Sequence, residues 1–133
     1  MITLHHCPQT RSMRTLWLLH ELDDIEFQVK IHAFDRSLRD PEYLILSPAG
    51  RVPALEIDGE RMFETGAITQ YLCERYSPDR MGRSVGSPDR MAWLVWVNFA
   101  ETISQHAAAL TQQHIALRED AMRSPIIMKL EAA

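Results

Sequence analysis

The feature that most constrains this chain is the run Ala54-Leu55-Glu56-Ile57-Asp58-Gly59-Glu60-Arg61-Met62-Phe63-Glu64. An Asp-Gly pair between two short apolar runs is the strongest short-range signal for a β-hairpin, because the tightest hairpin turn needs positive φ at both central residues. Residues 54–57 and 61–64 therefore read as paired antiparallel strands. After Glu64 the period turns helical, with Ile68, Leu72 and Arg75-Tyr76 sharing a face as far as Ser77-Pro78. Upstream, residues 2–6 have strand character, and residues 11–22 carry apolar side chains at helical spacing around Arg14 and Glu21. Phe27, Val29 and Ile31 alternate with Glu26, Gln28 and Lys30, the period of a half-buried strand. Asp40-Pro41 reads as the cap and first position of a short helix that ends before Pro48. The order is strand, helix, strand, helix, hairpin, helix. A helical crossover makes the first two strands parallel and the hairpin adds antiparallel ones, giving an α/β domain with a four-stranded mixed sheet.

A second part follows. Residues 77–88, SPDRMGRSVGSP, are rich in Ser, Pro and Gly and read as a linker. Ser87-Pro88 supplies a helix cap and first-turn proline. The stripe Met91, Leu94, Val95, Phe99, Ile103, Ala107, Leu110 and Leu117 then predicts a helix from 88 to about 117. Another helix is expected from Ser124-Pro125 onward, still running at Ala133. The expected domains are 1–76, a linker at 77–87, and the first helices of an all-α domain at 88–133.

Composition removes several function classes. With 46% of residues apolar, the chain has enough material for a core and is not disordered. Charge interrupts every apolar run well short of a membrane span. The start Met1-Ile2-Thr3-Leu4-His5-His6 lacks the pattern of a secretory signal, so a cytoplasmic setting is expected. A net charge of −4 argues against nucleic acid as a partner, which needs a basic face. Of the 14 basic residues only Lys30 and Lys129 are lysines, and arginine forks suit small carboxylate or phosphate ligands. Cys7 and Cys73 form neither a CxxC pair nor a disulfide framework. His5, His6 and Cys7 look like a ligand cluster, but strand neighbours face opposite ways, so only His5 and Cys7 share a face. His106 and His114 are again only two, and no metal is expected.

Three short segments hold the candidate chemistry. The turn Cys7-Pro8-Gln9-Thr10-Arg11-Ser12-Met13-Arg14 brings hydroxyls and a thiol to a helix start, where free N–H groups and the helix dipole favour an anion. The hydroxyls of Thr10 and Ser12 are equally suited to capping that helix. Arg51-Val52-Pro53 precedes the hairpin, and its proline is compatible either with a cis bond that turns Val52 outward or with ordinary edge protection. Glu64 and Thr65 stand where a strand gives way to a helix, so they fit an ammonium and a carboxylate, or a plain helix cap.

These segments, in this order, resemble the glutathione S-transferase family, in particular its bacterial theta- and beta-like members. The residues that carry the resemblance are Thr10 to Leu19 (TRSMRTLWLL), Ser47 to Leu55 (SPAGRVPAL) and Phe63 to Ile68 (FETGAI). The resemblance implies a thioredoxin-like N-terminal domain (βαβ-α-ββα) followed by an incomplete all-α domain. It implies glutathione as co-substrate, with Glu64 and Thr65 on the γ-glutamyl head, Val52 before a cis Pro53 on the cysteinyl backbone, and Arg51 on the glycine carboxylate. Counting back four residues from Arg14 reaches Thr10, where the theta-like members usually carry Ser, and the resemblance makes Thr10 the first candidate to activate the thiol. Ser12 is the second. Cys7-Pro8 resembles the omega-class Cys-Pro and leaves open disulfide or peroxide reduction. A non-catalytic interaction module is the further alternative. A homodimer and a small electrophilic second substrate are also implied. Family members are well over half as long again as 133 residues, so a chain cut short within its helical domain is expected.

Overall fold

The computed structural model describes residues 1–111 and 124–131. The chain forms two compact units, Met1–Val97 and Asn98–Ala133. In the first, β1 (Ile2–His6), α1 (Ser12–Glu21) and β2 (Phe27–Ile31) are followed by a short 3₁₀ turn, Arg36–Arg39. Then come α2 (Pro41–Leu46), β3 (Ala54–Ile57), β4 (Glu60–Phe63) and α3 (Thr65–Tyr76). The strands lie in the order β2-β1-β3-β4. β1 pairs parallel with β2, from Ile2 opposite Phe27 to His6 opposite Ile31. It pairs antiparallel with β3, and β3 with β4. The thioredoxin-like arrangement read from the sequence is the one observed.

Alternation along the strands sorts the two faces. Ile2 and Leu4 stand opposite Ile57 and Leu55, and all four pack with Leu19 and Leu22 of the α1 region and Ile68 and Leu72 of α3. The other face carries Ala54 with Leu38, Tyr43 and Leu46, so the 3₁₀ turn and α2 cover it. The Asp58-Gly59 turn has φ of +52° and +86°, the two positive values its sequence calls for. The turn is tied down by Asp58, which binds both the N-terminal ammonium and Arg75.

Two expectations change. β2 is not half-buried: Val29 is 39% and Ile31 69% exposed. It is an edge strand, while the core is built from the two central strands. The helix expected from Ser87-Pro88 begins instead at Arg90, as α4 (Arg90–Thr111). The Asp89 carbonyl accepts its first bond, from the Trp93 N–H, while the Ser87 carbonyl takes the Arg90 N–H and closes a preceding turn. Residues 77–89 are turns and irregular chain within the first unit, held by the bond of Arg90 to Glu74 and by Trp93 Nε1, which donates to the Met81 carbonyl. In the second unit, α5 (Pro125–Glu131) starts where Ser124-Pro125 placed it, with the Ile127 N–H directed at Ser124 Oγ. Met91, Val95, Phe99 and Ile103 of the α4 stripe are exposed. Leu117, the expected helix end there, His114 and the terminal Ala133 lie outside the described residues.

Candidate functional site

Strand register gathers the three segments. His5 stands opposite Ala54, and Ala54 opposite Phe63. The residues that follow β1, precede β3 and follow β4 therefore emerge side by side at one end of the sheet. Helices α1 and α3 both begin at that end, so two sets of unpaired first-turn N–H groups share it. The separation in sequence between Thr10, Val52 and Glu64 hides this; the pairing produces it.

The first segment folds around its hydroxyls. Thr10 Oγ1 donates to the Cys7 carbonyl at 2.7 Å, accepts the Ser12 N–H at 3.3 Å, and lies 2.7 Å from Ser12 Oγ. Ser12 Oγ lies 2.8 Å from His6 Nδ1, accepts the Cys7 N–H at 3.2 Å, and is 3.2 Å from the Cys7 carbonyl. Ser12, His6 and Cys7 are buried, and Ser12 has no exposed surface at all. Of the candidates in this turn, Thr10 alone remains half-buried at the surface. Burial pushes the Cys7 thiol upward, with the Asp35 carboxylate adding to the rise, and the Sγ turns to the Pro8 carbonyl. Burial also lowers the pKa of His6, favouring the neutral ring. The sequence marks His6 only as part of the apparent ligand cluster with His5 and Cys7. Its place on the core face followed from alternation, but its bond to Ser12 did not.

The second segment is shaped from α2. Tyr43 Oη and Ser47 Oγ both donate to the Arg51 carbonyl, at 3.0 and 2.9 Å. Burial, helped by Cys7, pushes the Tyr43 phenol up to about 12, so it remains a donor at any physiological pH. Gly50 turns the chain with φ +58°, under the Arg39 side chain. The Val52-Pro53 bond is cis. Arg51 is exposed and Val52 half-buried. Tyr43 and Ser47 are one helical turn apart, a spacing that could have marked them as a pair supporting this loop.

At the third segment Glu64 holds φ +74°, rare for a side chain of this kind, and is exposed at the start of α3. Its carbonyl accepts the Ile68 N–H, but its carboxylate makes no cap bond to the helix. The carboxylate is thus turned to no task within α3. Thr65 is buried behind it.

Among the described residues no three His, Cys, Asp or Glu side chains are grouped for a metal. His5 uses both ring nitrogens within the protein, Nδ1 with His32 at 2.8 Å and Nε2 with Glu56 at 2.9 Å. This His–His–Glu chain lies under Tyr43 on the α2 face, beside an open cavity of about 380 Å³. No helix among the described residues is long and apolar enough to cross a membrane.

Comparison with known proteins agrees with the geometry. Residues 1–74 match the family model for the glutathione S-transferase N-terminal domain. Glutathione S-transferase 3 of Schizosaccharomyces pombe is 31% identical over 101 residues, which are 76% of this chain and 41% of that protein. The glutathione transferase URE2P6 of Phanerochaete chrysosporium, solved with oxidized glutathione, superposes with a TM-score of 0.83 at 25% identity, over 98% of this chain and 60% of that one. The theta-class enzyme of Xanthomonas axonopodis pv. citri, solved with glutathione bound, has the same fold, with a TM-score of 0.78 at 22% identity over 98% and 62%. The chain spans less than two thirds of the length of each of these relatives. With its N-terminal domain matched almost end to end, the chain belongs to the glutathione S-transferase family.

Proposed function

We propose that this chain binds glutathione at the shared end of the sheet and activates its thiol for attack on small electrophiles. The observation that carries this reading is the register that brings Thr10, Val52 and Glu64 to one end of the sheet, beside two helix starts. Glu64, with no cap bond of its own, receives the γ-glutamyl ammonium, while Thr65 and the α3 N–H groups receive its carboxylate. The backbone of Val52 pairs with the cysteinyl unit in the manner of an added strand. Arg51, exposed beside it, takes the glycine carboxylate.

The thiol then meets Thr10. A free thiol with pKa about 8.5 is only a few per cent ionised at neutral pH. A hydroxyl donor to the thiolate, with the positive end of α1, lowers that pKa by about one to two units. The thiol proton leaves to solvent, the sulfur forms a bond to the electrophilic carbon, and a leaving group such as halide departs with its electron pair. Cytoplasmic location, a homodimer and the electrophile pocket belong to the same reading through the family resemblance.

Calorimetric titration with glutathione tests it directly. Saturable binding is expected, weakened by Glu64→Ala, and Thr10→Ala should lower aryl-halide conjugation about tenfold while keeping glutathione bound. Full activity in Thr10→Ala with loss in Ser12→Ala would transfer the role to Ser12. A folded protein that gives no heat with glutathione would favour the non-catalytic interaction module. Reduction through Cys7 is less well supported, because that thiol is 2% exposed and its pKa is raised. Thiol-transferase activity lost in Cys7→Ser, with no conjugation in any variant, would restore it.

A further inference from the structure

The bonds around Thr10 and Ser12 are directional, and one group decides the direction. Each hydroxyl has a single proton and two lone pairs. Ser12 Oγ has a neighbour that can only donate, the Cys7 N–H, and one that can only accept, the Cys7 carbonyl. Its other two neighbours, Thr10 Oγ1 and His6 Nδ1, can each do either. Thr10 Oγ1 likewise receives the Ser12 N–H and faces the Cys7 carbonyl.

Two arrangements are open to the ring, and only with Nδ1 donating can the Ser12–Thr10 contact and the bond to the Cys7 carbonyl both be made. If His6 Nδ1 carries the lone pair, Ser12 gives its proton to the ring, and the one Thr10 proton serves either the Cys7 carbonyl or Ser12 but not both. If His6 Nδ1 carries the proton, both Ser12 lone pairs are filled, by His6 and by the Cys7 N–H. The Ser12 proton then goes to its nearer acceptor, Thr10 Oγ1 at 2.7 Å. Thr10 now accepts from both the Ser12 hydroxyl and the Ser12 N–H, so its lone pairs are filled too. It can only donate. A donor-only hydroxyl bonds well to a thiolate and cannot accept from a neutral thiol, so it favours the ionised sulfur.

We propose that His6, donating from Nδ1 to Ser12, is a positioning residue that makes Thr10 a donor-only hydroxyl and so tunes the thiol held at this site toward thiolate. The proposal rests on the glutathione reading above. A neutral ring is sufficient, because Nε2 then needs no proton, and burial favours that neutral form. Ser12 has no exposed surface and acts as the relay between the ring and Thr10. Successive donors in such a chain polarise one another, so the effect reaches a ligand that His6 does not touch.

The test is the pKa of glutathione bound to the full chain, read from thiolate absorbance against pH. His6→Leu and Ser12→Ala should raise it by about half a unit to one unit, with the glutathione Kd changed less than about threefold. His6→Asn, which keeps an N–H at the δ position, should restore most of the wild-type value. An unchanged thiol pKa in His6→Leu, or a His6→Asn protein that behaves like His6→Leu, would overturn the proposal. Should His6→Leu fail to fold, nitrogen-15 NMR of wild-type His6 decides the direction: a protonated Nδ1 supports the relay and a protonated Nε2 alone overturns it. A wild-type chain that binds no glutathione overturns the parent reading instead, which the ring shifts do not touch.

Discussion

Gly50→Ala separates the two costs a side chain would meet at the turn that aims the Val52 segment. The first is conformational: Gly50 has φ +58°, where a Cβ crowds its own backbone at about 1 kcal/mol. The second is contact. A Cβ there would stand 2.8 Å from Arg39 Cδ, 2.8 Å from the Leu38 carbonyl oxygen and 2.9 Å from Arg39 Nη1. The arginine end can swing aside, but the Leu38 oxygen cannot. It belongs to the 3₁₀ turn whose Leu38 side chain is buried with Tyr43 and Leu46. Overpacking of this kind costs about 1–3 kcal/mol, so Gly50→Ala should destabilise by about 2–4 kcal/mol in all. Gly59→Ala controls for the first cost, since φ is +86° and nothing lies within 4 Å of the added carbon; it should cost about 1 kcal/mol. The unfolded-chain effect of replacing glycine is common to both and cancels in the difference. Urea denaturation at constant m reads each value, with the Gly50→Ala midpoint lower by about 1 M or more. If the two variants agree within about 0.5 kcal/mol, the contact with Leu38 is not what holds Gly50 in place.

Two further outcomes follow from buried polar groups. Thr15 in α1 is fully buried and its hydroxyl has no hydrogen-bond partner among the described residues, so Thr15→Val should raise stability by about 1 kcal/mol; a lower urea midpoint would show that the hydroxyl is used. His6 and His32 are both held below the ordinary histidine value of 6.5, by burial and, for His32, by His5 and Lys30 as well. Between that value and their lowered ones the unfolded chain binds protons that the folded chain refuses, so stability is complete at neutral pH and falls as pH drops through this window. The urea midpoint should therefore decrease from about pH 7 to about pH 5, less steeply in a His6→Asn, His32→Gln double variant; a slope unaffected by that double change would refute the assignment.

Local chemistry alone was enough for the elements. The strand character of residues 2–6, the Asp58-Gly59 pair and the switch of period at Glu64 each act within a few residues, and the strands and helices of the sheet domain stand where they pointed. The parallel pair and the hairpin together implied the four-stranded sheet. The misplacements occurred where a local signal competes with packing. Val29 and Ile31 have the right alternation for a half-buried strand, but an edge position leaves them exposed. Ser87-Pro88 has the right chemistry for a helix start, yet the helix begins after Asp89.

The amino-acid sequence by itself determined which residues could form strands, turns and helix starts, and so which motifs this chain presents. Tertiary structure decided how those motifs meet. The register of β1 with β3 and of β3 with β4 put Thr10, Val52 and Glu64 at one end of the sheet. Burial set Thr10 apart from Ser12 and Cys7, the three candidates that the turn after β1 offers. Folding α1 back against the end of β1 joined His6 to Ser12, and α2 brought Tyr43 and Ser47 onto the Arg51 carbonyl. The reason is physical: periodicity and turn preference depend on neighbours along the chain, whereas hydrogen-bond partners and solvent exclusion depend on neighbours in space.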